Sequence, residues 1–256
     1  MKHLLLFILL FCNTILFAQN TQQITTTAPV TKIMSGADLQ KMIGNVTDRN
    51  IYDNDGNIVD SVTAATKVKS FEYQLGFGTP PGQTGYKHIL SKIDPDRQLM
   101  MYKTMKNIPS LRLRSPKLQD GVVLDLKPIV KRADTAKLIG KAIIMIFWCP
   151  SCYSGSVPDQ YKEINDVIST YYDPNKIQVL AITHASFVEA ADALKKSPIL
   201  NAHNIFEASY ITDDYQTDNR PAIIMTDKNH KIIFSLAGHA ALSPWMLNKL
   251  LKENMN

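Results

Sequence analysis

Ala142-Ile143-Ile144-Met145-Ile146-Phe147-Trp148-Cys149-Pro150-Ser151-Cys152 decides the fold of this chain. Seven apolar residues in a row are too few for a globular helix with a wet face. They suit a strand buried on both sides of a central sheet. Cys149 follows at once, where the pattern changes towards a helix. A thiol at a strand-to-helix turn faces the helix N-terminal N–H groups, which favour its anion. Cys149 and Cys152, three positions apart, can open and close a disulfide with little backbone movement. A small structural disulfide, or half of a metal site, uses the same spacing.

The elements around this strand alternate. Val157, Tyr161, Ile164, Ile168 and Tyr171 recur at spacings of four, three, four and three, which places them on one helix face. Pro158 kinks that helix and Asp173-Pro174 ends it. Residues 177–182 form a second buried strand, and residues 187–195 a helix closed by Ser197-Pro198. Residues 222–225 and 232–236 are strands joined by a turn over 227–230. Ser243-Pro244 opens a last helix over 245–252. Before the cysteines, residues 122–126 read as a strand and 135–138 as a short helical turn.

The N-terminal half is less regular. Asp55-Gly56 between Asn50-Ile51-Tyr52 and Asn57-Ile58-Val59 is a hairpin signal. A calcium loop over Asp53-Asn54-Asp55-Gly56 fails, because Ile51 stands where an acid is required. Residues 62–68 read as a helix and 71–75 as a strand. Residues 76–85 read as a loop, and 89–105 as a partly helical stretch interrupted at Asp94-Pro95. Residues 35–43 suit a short helix capped by Ser35. Residues 108–116 read as a linker, and the Arg112–Lys117 basic cluster as solvated charge.

Met1-Lys2-His3, an apolar run to Phe11 and a small residue at Ala18 make a secretory signal over residues 1–18. It is too short for a convincing membrane span. Phe11 before Cys12 argues against lipidation. Cleavage removes Cys12, so two of the three cysteines remain, and they are the Cys149/Cys152 pair. An exported protein stapled by disulfides would carry more. The remaining 238 residues support a sizeable core, and the net charge falls from +5 to +4, which implies no nucleic-acid surface.

Strand, Cys-x-x-Cys helix, strand, helix, hairpin, helix is the thioredoxin order. Phe147-Trp148-Cys149-Pro150-Ser151-Cys152 resembles that family's aromatic-led active-site motif. Arg220-Pro221-Ala222-Ile223-Ile224, with the hairpin after it, resembles its cis-proline segment. The leader and the extra segments make the chain similar to exported, TlpA-like thiol-disulfide oxidoreductases over residues 117–256.

The resemblance implies an α/β, thioredoxin-like fold: a central mixed sheet flanked by helices, preceded by a small α+β region. Residues 1–18 are then the signal, 19–34 a flexible leader, 35–116 an accessory region and 117–256 the thioredoxin-like domain. It further implies a Cys149–Cys152 redox disulfide, with Cys149 as nucleophile, Cys152 as resolving thiol and Pro221 as the facing cis-proline. Arg220 stabilises the thiolate. Trp148, Pro150, Ser151 and Arg220 line the partner groove. The activity is dithiol–disulfide exchange on exported, periplasmic, cysteine-containing proteins. The reductive direction is favoured, with an upstream thiol donor or acceptor, no cofactor, no metal and no nucleic acid. The membrane is met only through the transient signal.

Two familiar acids are missing. Residues 143–146 hold none, and Gly155 stands where many TlpA-like chains carry Glu. The proton route for Cys152 is thus unassigned, with His184 a candidate substitute against its reading as a solvent-facing loop histidine. The alternative function is a copper metallochaperone using both cysteines with His184 or His239. Copper carriers of this fold have three residues between the cysteines, and this chain has two. Thioredoxin-fold peroxidases carry Thr where Ile146 stands.

Overall fold

The computed structural model describes residues 48–150, 161–217, 221–238 and 243–255. They fall within one compact unit, Val46–Asn256. The signal, the leader, the helix over 35–43, Val157 and Pro158 lie outside the described residues.

The first strands are β1 (Ile51–Tyr52) and β2 (Ile58–Val59), an antiparallel hairpin as the Asp55-Gly56 turn predicts. The Asp53 carboxylate accepts the N–H groups of Asp55 and Asn57 at 3.0 and 2.8 Å, and Gly56 supplies the positive φ of +87°. Helix α1 (Ser61–Lys69) starts at Asp60, whose carboxylate accepts the Thr63 N–H at 2.8 Å. β3 (Tyr73–Gly78), β4 (Lys87–Lys92) and α2 (Pro95–Lys106) follow. The four strands lie in the order β2-β1-β4-β3.

Two expectations need correction here. Residues 87–92 are strand, not helix, because they pair with β3 along six positions and with β1. Asp94-Pro95 does not interrupt a helix but begins one: Asp94 caps it and Pro95 fills its first turn, where a missing N–H costs nothing.

The second sheet carries the Cys149 end of the molecule. Its elements are β5 (Ala142–Phe147), α3 (Lys162–Tyr171), β6 (Ile177–Ile182), α4 (Phe187–Lys196), β7 (Ala202–Ile205), α5 (Ser209–Tyr215), β8 (Ala222–Thr226), β9 (Ile232–Ala237) and α6 (Ser243–Met255). The order is β7-β6-β5-β8-β9. β5, β6 and β7 run parallel, while β8 and β9 join antiparallel. This is the mixed sheet flanked by helices that the thioredoxin resemblance implies. β7 and α5 were not expected from the sequence. The strand expected over 122–126 is reduced to one bridge, Val123 to Lys231. Backbone bonds from Gly121 and Leu124 still tie it to β9's start.

β5 is buried at every residue. Its alternate side chains feed two different cores. Ile144 and Ile146 pack with Ile164 and Ile168 of α3, Leu247 and Leu251 of α6, and Tyr102 of α2. Ile143, Met145 and Phe147 pack with Leu118, Ile129 and Leu138, and with Ile211 and Tyr215 of α5. Each such side chain contributes roughly 1.5–3 kcal/mol on burial. Tyr102 stacks on Phe234 at 5.1 Å, so α2, which precedes residue 116, shares the core of the second sheet.

Candidate functional site

The parallel β5–β6 ladder runs one step past β5, where the Trp148 N–H donates to the Ile182 carbonyl at 2.9 Å. Cys149 comes next, at the carboxyl end of the central strand, and the chain turns helical at Pro150. Cys149 is disulfide-bonded and only 4 % exposed. Phe147 is registered opposite Ala222 on β8, and Ala222 opposite Ala237 on β9. Pro221 immediately precedes Ala222, so it sits one strand away from the cysteine end of β5. Its carbonyl accepts the N–H of Gly238, which has a φ of +77°.

Of the residues singled out from the sequence, Trp148, Cys149, Pro150 and Pro221 are described, and the register brings them to one end of the sheet. Ser151, Cys152 and Arg220 lie outside the described residues, as does the peptide bond into Pro221. Trp148 is 3 % exposed and belongs to the core cluster with Ile164 of α3. Pro150 and Pro221 are both half-buried. His184 is exposed just beyond β6, and its electrostatic partner is Glu189. Glu189 belongs to a capping box: its carboxylate accepts the Ser186 N–H at 2.9 Å, and Ser186 accepts the Glu189 N–H. That backbone bond, with His184 a smaller cause, holds its carboxyl below the ordinary glutamate range.

The interior beneath the cysteine is apolar. None of the buried polar side chains among the described residues is a carboxylate. Tyr215 sits edge-on to Phe147 at 6.4 Å and donates its hydroxyl to the Asp125 carbonyl at 2.6 Å. Burial first, and then the negative charges of Asp125 and Asp214, push its phenol far above the usual range, so it stays protonated. Among the described residues, no three His, Cys, Asp or Glu side chains cluster as metal ligands would. Cys152 and His239 lie outside them. No helix among the described residues is long and apolar enough to cross a membrane.

One contributor escaped the sequence reading. The Leu111 carbonyl accepts the Ala237 N–H at 2.9 Å, and Leu111 Cδ2 lies 3.7 Å from where a side chain on Gly238 would begin. The row Phe147–Ala222–Ala237 is thereby lengthened by the segment read as a linker. The alternation Leu111, Arg112, Leu113, Arg114, with Leu113 buried and both arginines exposed, was the available signal.

No protein-family model and no curated protein matches the chain. Among solved structures, similarity is to thioredoxin-like proteins. One is a thioredoxin-like protein from Parabacteroides distasonis, 14% identical, with 53% of this chain and 96% of that chain covered and a TM-score of 0.39. A secreted disulfide oxidoreductase from Mycobacterium tuberculosis is 19% identical over 46% of this chain and 85% of that one, TM-score 0.38. A thiol-disulfide oxidoreductase from Bacteroides fragilis is 17% identical over 47% and 87%, TM-score 0.38.

Proposed function

We propose that this chain is an exported oxidoreductase that exchanges dithiols and disulfides with cysteine-bearing proteins, with Cys149 as nucleophile and Cys152 as resolving thiol. The observation that carries the reading is Cys149 itself. It is disulfide-bonded, at the carboxyl end of a fully buried central strand, one strand from Pro221. Cys12 falls in the stretch read as the signal, and the thioredoxin-like resemblance points to Cys152 as the redox partner.

The reductive direction is written as follows. The Cys149 thiolate attacks one sulfur of a partner disulfide. A mixed disulfide forms and the partner's other sulfur leaves as a thiolate. Cys152, as thiolate, then attacks Cys149 Sγ. The intramolecular disulfide forms, and the second partner sulfur leaves and takes up a proton. Two electrons pass from the dithiol to the partner, and an upstream thiol donor returns them. The helical turn at Pro150 favours the Cys149 anion, and a cation at Arg220 would favour it further. No cofactor enters the scheme. Residues 1–18 carry the protein out, and the periplasm is the compartment.

Insulin reduction driven by dithiothreitol tests the activity. Cys149→Ser is expected to abolish it, and Cys152→Ser to accumulate a mixed disulfide with the partner. Wild-type turnover equal to Cys149→Ser would sink the reading. The couple's potential tests the direction: a value near about −270 mV fits a reductant, and one near about −120 mV an oxidant.

A further inference from the structure

We propose that Arg112, on the segment that lengthens the sheet beside Gly238, recognises an acidic residue of the partner polypeptide about four residues from its reacting cysteine. The proposal rests on the exchange reading and adds to it the kind of partner the site takes.

The row across the sheet is Phe147, Ala222, Ala237, Leu111, one residue from each of four neighbouring strands or segments. At about 4.8 Å per strand step, Leu111 stands about 14 Å from Phe147. Cys149 lies two residues beyond Phe147, and Arg112 follows Leu111 on a segment that then runs antiparallel along β9, where Val123 bridges Lys231. An extended polypeptide rises about 3.3 Å per residue, so about four residues span the distance across the sheet.

The segment's alternation sets its outward face. Leu113 is buried in the core with Phe147, Ala222 and Ala237, which sends Arg112 and Arg114 to the surface. There they line a cleft of about 250 Å³ with Asn107 and Pro109. Nearby lysines are committed elsewhere. Lys106 pairs with Asp120 at 2.7 Å, and Lys117 donates to the Asp214 carbonyl at 2.6 Å. Among the described residues Arg112 has no ion-pair partner. Its guanidinium is a planar fork that suits a carboxylate and always carries charge. Within reach of the cysteine end it selects acidic partners and disfavours basic ones, by steering as well as contact.

The test uses the full chain and two fluorescein-labelled peptides. Each has serine in place of cysteine, with Glu-Glu or Gln-Gln centred four residues from it on either side. Anisotropy is expected to show the Glu peptide binding about five-fold more tightly at low salt, the size of one exposed ion pair. The preference should shrink as salt rises and vanish in Arg112→Gln. Lys131→Gln, exposed and outside the cleft, should leave it intact. Equal affinity for the two peptides, or a preference unchanged in Arg112→Gln, overturns the proposal. The same peptides as cysteine disulfides separate the two readings. If both exchange equally fast and bind equally, the proposal falls and the exchange reading stands. If the acidic preference holds but neither disulfide is exchanged, the surface stands and the exchange reading falls.

Discussion

Asp120→Ala is expected to destabilise the protein by about 2–4 kcal/mol, and the estimate can be built atom by atom. Tyr102, on α2, donates its hydroxyl to both Asp120 oxygens at 3.0 and 2.9 Å. The Ser235 hydroxyl, on β9, donates to Asp120 Oδ1 at 2.9 Å. Lys106 approaches the same oxygen at 2.7 Å. Tyr102 and Ser235 are 4 % and 0 % exposed, so removing the carboxylate strands two buried donors. Each stranded donor costs about 1–3 kcal/mol. The Asp120 side chain is a third exposed, so water can enter, which sets the total in the lower half of that range. The ion pair adds at most about 1 kcal/mol. For a unit of this size the melting temperature should fall by about 10 °C. Urea denaturation followed by far-ultraviolet circular dichroism measures it. Tyr102→Phe also removes the oxygen that accepts the Ser235 N–H at 2.9 Å, so the two variants should couple by about 1–2 kcal/mol in a double-mutant cycle. A loss under about 0.5 kcal/mol, strict additivity, or separate unfolding of α2 and the sheet would refute the network.

Thr226→Val keeps the shape of a fully buried side chain but deletes a hydroxyl that accepts the Ile143 N–H at 3.0 Å and donates to the Asp227 carbonyl at 2.9 Å. Stability should drop by about 1–3 kcal/mol, and an unchanged urea midpoint would show that β5 does not need this bond. Glu189 has a folded pKa below its ordinary value of 4.5. Its contribution is therefore complete above that pH and lost as pH falls through the lower folded value. Glu189→Gln should lower stability at pH 7 and converge with wild type in acid, measured by denaturation at a series of pH values. A difference independent of pH would assign the effect to something other than the carboxylate's charge.

Much of the second sheet was legible because its strands are short apolar runs between breakers. Residues 142–148 and 177–182 have no polar face to confuse the period, and the Asp227–His230 turn announces the β8–β9 hairpin. β7 was not legible. Ala202-His203-Asn204-Ile205 is an edge strand with two polar residues inside, held by pairing to β6 rather than by its own pattern. α5 is seven residues, too short for a face to repeat twice, and closes with Gln216 at a φ of +55°. β4 was misread because Asp94-Pro95 is ambiguous in sequence: the same pair can break one helix or begin another. The placement of Cys149 and Pro221 at one end of the sheet was legible, because each adjoins a clean apolar strand. Leu111 was not, since a backbone carbonyl reaching Ala237 leaves no mark on its own side chain.

The apolar interior and the rim of the site make different demands on the chain. Beneath Cys149, strand β5 is packed on both faces by aliphatic and aromatic side chains, and no buried carboxylate among the described residues breaks that packing. Such a core fixes the cysteine's backbone to within the tolerance of close packing, and any residue of similar volume would serve it. On the exchange reading proposed above, discrimination between partners comes from groups that a partner can touch. Those lie where the row leaves the core: Pro221, Gly238, and the segment carrying Arg112. The half of the chain before residue 116 reaches that rim by two routes. Tyr102 anchors α2 to β9 through Phe234 and Asp120, and Leu111 then holds the following segment against Ala237. The first route supplies rigidity, and the second places the segment carrying Arg112 beside Ala237. Loosening the first should therefore blur the second, although no residue of the Asp120 network lines the arginine cleft.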